Sequence, residues 1–188
     1  YYPGACTLAI KLMFDNAGAI LGAQIVGSDG VDKRIDVIAT AMRAGMSVYG
    51  LEELELAYAP PYGSAKDPVN FAGMIAANTL RGDTRPVVAE ALPEGAYLLD
   101  IREPAERELG HIDDSGFIPL GQLRDRLAEL PKERPIVVYC KLGLRGYLAE
   151  CILRQNGFDA YKLSGGWLAW NMFHPTPVQP VSTTPVKA

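Results

Sequence analysis

Two kinds of hydrophobic pattern follow each other along the first part of the chain. Residues 7–14 and 19–27 are apolar, β-prone runs separated by the turn-forming segment DNAG, which predicts a β-hairpin. Apolar positions then recur at helical spacing over residues 31–43, and a glycine follows shortly afterwards, which predicts an amphipathic helix. A second helix is predicted after Asp67, because this residue can cap it and a proline follows. We therefore expect an α+β unit over residues 1–82.

The second part of the chain alternates between short apolar runs and helical patterns. Strands are predicted at 97–100, 136–139 and 160–163, and the helices between them include one at 121–130. This alternation indicates βαβ units around a central parallel sheet, which is an α/β domain. In such a sheet the carboxyl ends of the strands share one edge, and ligands bind there.

Changes in composition predict the domain boundaries. The polar, proline-containing stretch 83–87 is interpreted as a linker, and the α/β domain is expected at 88–174. Residues 175–188 contain four prolines and no core-forming periodicity, so we expect an extended or disordered tail. The chain begins without methionine and almost directly in a strand pattern, which we interpret as a fragment of a longer protein.

Composition excludes several classes of function. With 48% hydrophobic and 21% charged residues and a net charge of -4, the chain has no electrostatic footprint for nucleic acid. No apolar run is long enough to span a membrane. Three cysteines without CxxC spacing and two scattered histidines argue against a disulfide framework or a metal site. A reducing compartment such as the cytoplasm fits this cysteine usage better.

The segment CKLGLR carries the clearest chemistry. It begins at Cys140, directly after the predicted strand 136–139, and a helical pattern starts at its end. Backbone N–H groups of the loop, the helix dipole, Lys141 and Arg145 all favour the thiolate of this cysteine. Gly143 is expected to let the backbone curl so that several N–H groups converge. The segment predicts a nucleophilic thiolate in a small cationic cup.

The length of this loop separates two chemistries. Cysteine-dependent phosphatases have a similar plan with five residues between cysteine and arginine, a ring wide enough for phosphate. Here four residues intervene, namely Lys141, Leu142, Gly143 and Leu144. The tighter loop suits one extra sulfur atom on the cysteine.

Three motifs in the second half resemble those of a rhodanese domain. They are DIREPAERELGHI, CKLGLRGY and LSGGWLAW, and they occur in order and at the family's spacing. The resemblance implies that Cys140 takes up a sulfane sulfur as a persulfide and passes it to a thiol acceptor. It also implies that the backbone of 141–145 cradles the sulfur, that Arg145 closes the loop, and that Asp100 and Arg102 act as scaffold.

The rhodanese resemblance leaves the donor and the type of activity open. Thiosulfate, a glutathione or coenzyme A persulfide, and polysulfide are all possible donors. Some rhodanese-like domains are inactive, so the alternative is a persulfide carrier or docking module without turnover. One departure from the family pattern is the segment 113–115, where the usual proline-glycine turn is replaced by Asp-Asp-Ser.

The first half resembles the C-terminal dimerisation domain of FAD- and NAD(P)-dependent pyridine nucleotide-disulfide oxidoreductases. The similar segments are YYPGA, ILGAQIVG, GVDKRIDVIATAMRAGM and LELAYAPPYGSAKDPVN, and the coenzyme A-disulfide reductase branch is the most similar. The resemblance implies a homodimer formed through residues 1–82. It also implies preceding FAD and NAD(P)H domains in a parent that reduces disulfides, persulfides or polysulfides, while this chain, which lacks a GxGxxG fingerprint, holds neither cofactor.

Tyrosines of this dimerisation domain reach the partner subunit's active site in the resembling family. Tyr58 and Tyr62 in AYAPPY are the matching candidates, and Tyr1 or Tyr2 could contribute. The two prolines between them would hold a rigid, exposed loop. The alternative is that these rings only pack at the subunit interface.

Overall fold

The chain divides into two compact units between Asp83 and Thr84. A computed structural model describes residues 6–59 and 63–174. The predicted tail 175–188 and the candidates Tyr1, Tyr2 and Tyr62 lie outside the described residues. Within the part that is described, none of the helices combines the length and the apolar character that crossing a bilayer would require.

The first unit is a β-hairpin packed with three helices. Its elements are β1 (Leu8–Phe14), β2 (Ile20–Gly27), α1 (Val31–Arg43), α2 (Val48–Glu52) and α3 (Pro68–Arg81). The two strands pair antiparallel from Leu8 opposite Gly27. Side chains from β2 and all three helices form one core, which includes Ile38, Leu51 and Val69. The predicted hairpin, helix 31–43 and helix after Asp67 are confirmed.

The start of α3 shows why the sequence places a helix there. The Asp67 carboxylate accepts a hydrogen bond from the Val69 N–H at 3.1 Å, and the Asn70 side chain accepts one from the Asp67 N–H at 3.0 Å. This reciprocal cap satisfies two N–H groups that the helix cannot pair internally. Arg34 also forms a salt bridge with Asp67 at 3.0 Å, which ties α1 to the start of α3.

The second unit contains a five-stranded parallel sheet in the order β3-β7-β6-β4-β5. Its elements are β3 (Pro86–Val87), β4 (Tyr97–Asp100), α4 (Pro104–Glu108), β5 (Gly116–Phe117), β6 (Ile136–Tyr139), α5 (Leu144–Gln155), β7 (Ala160–Leu163) and α6 (Gly166–Phe173). All four residues of β6 are buried, as expected for a central strand covered on both faces. The three predicted strands and the central parallel sheet are confirmed.

Two predictions for this half are corrected by the structure. Residues 84–87 of the expected linker belong to the second unit, because β3 pairs with β7 and Thr84 is buried and donates a hydrogen bond to Glu150. The predicted helix 121–130 is instead two short 3₁₀ helices, Leu120–Gln122 and Leu127–Glu129, joined by turns. Burial of leucines from this segment in the core outweighs its helix propensity.

Candidate active site

Cys140 lies at the carboxyl end of β6, between the ends of β4 and β7. It is the first residue after the strand, and it is 3% exposed. α5 begins four residues later at Leu144, so the predicted order of strand, loop and helix is confirmed. The first N–H groups of an α-helix have no partner inside the helix, so the loop end of α5 offers hydrogen-bond donors near the cysteine.

The start of α6 holds this loop in place. The Trp167 N–H donates to the Cys140 carbonyl at 2.8 Å, and the Leu168 N–H donates to the Lys141 carbonyl at 3.2 Å. This approach requires a glycine at position 166, where φ is +57° and a Cβ atom would lie 2.3 Å from the Cys140 carbonyl oxygen. Gly166 in LSGGW therefore allows the backbone of α6 to contact the backbone of the cysteine loop.

The geometry changes the role expected of Gly143. Its φ is 172°, which is extended, and a Cβ atom there would meet open space. Gly146, which is buried in the first turn of α5, lies beside the cysteine. A Cβ atom on Gly146 would lie 3.9 Å from the Cys140 sulfur.

The two loop cations differ in their surroundings. Lys141 is exposed to solvent at the rim. Arg145 donates two hydrogen bonds to the Glu106 carboxylate in α4, at 2.6 and 2.7 Å. The hydrogen bond from Arg145 lowers the pKa of Glu106 to about 2 even though burial opposes this shift, and the same bond raises the pKa of Arg145. The Arg145–Glu106 pair thus fastens the start of α5 to α4.

The remaining loop side chains are apolar and exposed. Leu142 is 56% exposed and Leu144 is 74% exposed. The rim of the cup therefore combines one lysine with two leucines, and both charged and uncharged groups can contact it.

Asp100 and Arg102 form a buried pair at the end of the neighbouring strand β4. Their side chains share hydrogen bonds of 2.8 and 2.9 Å, and Arg102 also donates to the Gly110 carbonyl at 2.7 Å. Burial opposes ionisation of Arg102, but the hydrogen bond and charge of Asp100 outweigh it and raise the pKa of Arg102. The Arg102 guanidinium lies 5.1 Å from the centre of the Trp167 ring, so this pair supports the α6 end that holds the loop.

The departure at 113–115 is part of this network. Asp114 has a φ of +58°, and the Ser115 hydroxyl lies 2.9 Å from the Tyr139 hydroxyl. Tyr139 in turn donates to Asp100 at 3.1 Å, and Arg107 donates to the Ser115 hydroxyl at 3.1 Å. Ser115 therefore links this turn by hydrogen bonds to Tyr139 and Arg107.

Sequence reasoning missed Glu106 and Lys162. Glu106 lies in one of the quoted motifs, but its partner Arg145 is 39 residues away, so no local pattern pairs them. Lys162 lies in β7 and is 9% exposed. The sequence feature that could have identified it is the presence of a lysine within the otherwise apolar strand AYKL. Both lie in the same unit as Cys140.

Tyr58 belongs to the first unit, where it is 59% exposed. Cys6 is exposed, Cys140 is buried and Cys151 is half-buried. Over residues 6–59 and 63–174, no group of histidine, cysteine or acidic side chains is arranged to hold a metal ion.

Known proteins resemble both parts of this chain. Residues 84–173 match the family model of the rhodanese-like domain. A coenzyme A disulfide reductase of Staphylococcus aureus (strain bovine RF122 / ET3-1) is 47% identical over 74 residues, which is 39% of this chain and 17% of that protein.

Two solved structures match most of the chain. The crystal structure of reduced Bacillus anthracis CoADR-RHD is 46% identical, with a TM-score of 0.89 over 93% of this chain and 32% of that one. A NAD-dependent persulfide reductase from A. fulgidus is 39% identical, with a TM-score of 0.81 over 90% of this chain and 31% of that one. The chain thus spans less than a third of the length of each. Residues 84–173 are thus similar to the rhodanese-like domain family, in a chain whose relatives include coenzyme A disulfide reductases.

Proposed function

We propose that the second unit transfers sulfane sulfur through a persulfide on Cys140. The observation that carries this proposal is the position of the cysteine at the carboxyl end of the central strand, facing the start of α5 and held there by two N–H groups of α6. The match of residues 84–173 to the rhodanese-like domain supports it.

The proposed reaction has two displacement steps. The Cys140 thiolate attacks the sulfane sulfur of the donor, the S–S bond of the donor breaks, and the electron pair leaves as sulfite from thiosulfate or as a thiolate from a persulfide. A thiol acceptor, or cyanide in an assay, then attacks the outer sulfur, and the Cys140 thiolate leaves. N–H groups at the start of α5 stabilise negative charge on sulfur in both steps.

Mass spectrometry tests the proposal directly. After incubation with thiosulfate or glutathione persulfide, the peptide containing Cys140 should gain the mass of one sulfur atom, and cyanide should remove it as thiocyanate. Cys140→Ser should abolish both signals, because a hydroxyl is a poor sulfur acceptor, while Cys6→Ser, which changes an exposed cysteine of the first unit, should retain them. Thiocyanate production by Cys140→Ser would overturn the assignment. A mass gain without turnover would support the alternative of a persulfide carrier or docking module.

We propose further that the chain acts as the C-terminal part of an FAD- and NAD(P)H-dependent reductase of disulfides, persulfides or polysulfides. The names and lengths of its relatives support this, since the chain spans 17% of a coenzyme A disulfide reductase and 31% of a persulfide reductase. The sequence contains no GxGxxG segment to bind a dinucleotide. Both cofactors would therefore be held by other domains of the parent.

In the proposed parent, the first unit is a dimerisation domain. Phe71 and Ile75 support this, because they lie one helical turn apart on α3 and are 49% and 51% exposed. A second copy of the chain is the proposed occupant of this apolar face. Tyr58, whose side chain is exposed, would reach towards the partner's reductase site.

A further inference from the structure

Lys162 is a buried lysine that the proposed reaction has not used. It lies in β7 and is 9% exposed, although lysine is almost never buried without a partner. Its ammonium nitrogen lies 5.7 Å from the centre of the Tyr147 ring. Among the described residues, no salt bridge of Lys162 is found, and no buried side-chain nitrogen or oxygen atom lacks a hydrogen-bond partner. The Lys162 stem is therefore buried, while its ammonium group reaches solvent or a hydrogen bond. A lysine side chain that is largely buried, and whose charge no carboxylate neutralises in a salt bridge, calls for a functional explanation.

The sheet register brings Lys162 close to the reactive cysteine. β7 pairs with β6 so that Lys162 lies opposite Val138, two residues before Cys140. The Lys162 Cβ and the Cys140 sulfur each lie 3.9 Å from the point that a Cβ on Gly146 would occupy. The two atoms are therefore no more than twice this distance apart, under the first turn of α5.

The other charged groups near the loop are already paired. Arg145 is neutralised by Glu106, and Arg102 is neutralised by Asp100. These pairs contribute little net charge to the site. Lys141 is exposed to solvent, where its charge is screened by salt.

The groups that face Lys162 itself come from α5 and the cysteine loop. Burial lowers the pKa of Lys162, while the charge of Glu150 and then the thiolates of Cys140 and Cys151 oppose that change. Glu150 is fully buried and accepts hydrogen bonds from the Thr84 hydroxyl and the Arg85 N–H. It also lies 3.7 Å from Arg154. Glu150 is thus held mainly by these other partners.

We propose that Lys162 is a positioning residue whose positive charge, carried on a largely buried side chain, acts on the sulfur of Cys140. It would favour the thiolate before sulfur transfer and the persulfide anion after it. Charges interact more strongly when both are shielded from water, so Lys162 should act on this sulfur more than the exposed Lys141 does. This inference rests on the proposed function only for the persulfide; the effect on the thiolate stands independently.

The pH dependence of alkylation tests the inference without any sulfur transfer. The rate at which iodoacetamide labels Cys140 is followed by mass spectrometry across pH in the full chain. Lys162→Met should raise the midpoint of this profile by about one pH unit, within the range for an opposite charge nearby. Lys162→Arg should restore most of the wild-type profile, since it keeps the charge. Lys132→Met is a matched control, because Lys132 is exposed and its ammonium nitrogen lies 5.5 Å from the Phe158 ring.

A reciprocal measurement does not depend on the folding of a lysine variant. Coupling between two titrating groups is mutual, so removal of the thiolate must affect the lysine. Cys140→Ser should therefore lower the pH at which the Lys162 side chain titrates in an NMR experiment on labelled lysine.

The outcomes separate this inference from the proposed function. An unchanged alkylation midpoint in Lys162→Met, or an unchanged lysine titration in Cys140→Ser, would overturn the role of Lys162 and leave persulfide formation untouched. A shifted midpoint in a protein that takes up no sulfur would instead support the electrostatic role and contradict sulfur transfer.

Discussion

Gly166→Ala should displace the loop that carries Cys140. The glycine has a φ of +57°, and its backbone faces the loop so closely that a Cβ atom would lie 2.3 Å from the Cys140 carbonyl oxygen and 3.0 Å from the Lys141 carbonyl carbon. Both neighbours are backbone atoms, which cannot rotate away. The methyl group can therefore be accommodated only if α6 and the loop separate, which would break the hydrogen bond from Trp167 to Cys140.

The magnitude of this effect follows from two contributions. A residue with a side chain in the left-handed region costs about 1–2 kcal/mol. Overpacking a close contact costs about 1–3 kcal/mol more. Gly166→Ala should therefore lower the free energy of unfolding of this unit by about 2–5 kcal/mol. Gly157→Ala isolates the first contribution, because Gly157 has a φ of +80° and a Cβ atom there would meet no atom within 4 Å.

Urea unfolding followed by tryptophan fluorescence measures this difference. The chain has two tryptophans, and both lie in α6, so fluorescence reports on the second unit alone. Gly166→Ala should unfold at lower urea than Gly157→Ala and should lose thiocyanate production, whereas Gly157→Ala should keep it. If the two variants unfold at the same urea concentration and both remain active, the close approach of α6 to the loop does not shape the site.

Two further predictions concern the Glu106 pair and the first unit. The pKa of Glu106 is lowered to about 2, so its pairing with Arg145 stabilises the fold above its ordinary pKa and is lost as the pH falls towards about 2. The difference in unfolding free energy between wild type and Glu106→Gln should be about 1–2 kcal/mol at neutral pH, allowing for partial exposure, and should shrink below about pH 5; a constant difference across pH would contradict this. Ile75→Glu should convert a homodimer into monomers in light scattering, while Val88→Glu, at a site equally exposed in the second unit, should not. A monomeric wild type would refute the dimer.

Local patterns predicted much of the fold. Tyr97–Asp100, Ile136–Tyr139 and Ala160–Leu163 are strands with the predicted bounds, because each is a short apolar run ended by turn residues. β3 and β5 were missed because two residues are too few to show a period. The helix predicted at 121–130 failed because its apolar spacing reflects burial of leucines from consecutive turns.

The order of residues along the chain was enough to predict that a cysteine follows a buried strand and that a helix starts just beyond it. These are neighbouring residues, so their arrangement depends on local preferences and on the alternation of strands and helices. The partners of the charged groups around the sulfur could be identified only from the three-dimensional packing. Arg145 is paired with Glu106 and Lys162 is buried beside Cys140, because the strand order brings together segments that are distant along the chain. The same packing explains why glycine is required at position 166 and not at the predicted position 143. The sequence could not show this, because a contact between two backbones leaves no periodic pattern along the chain.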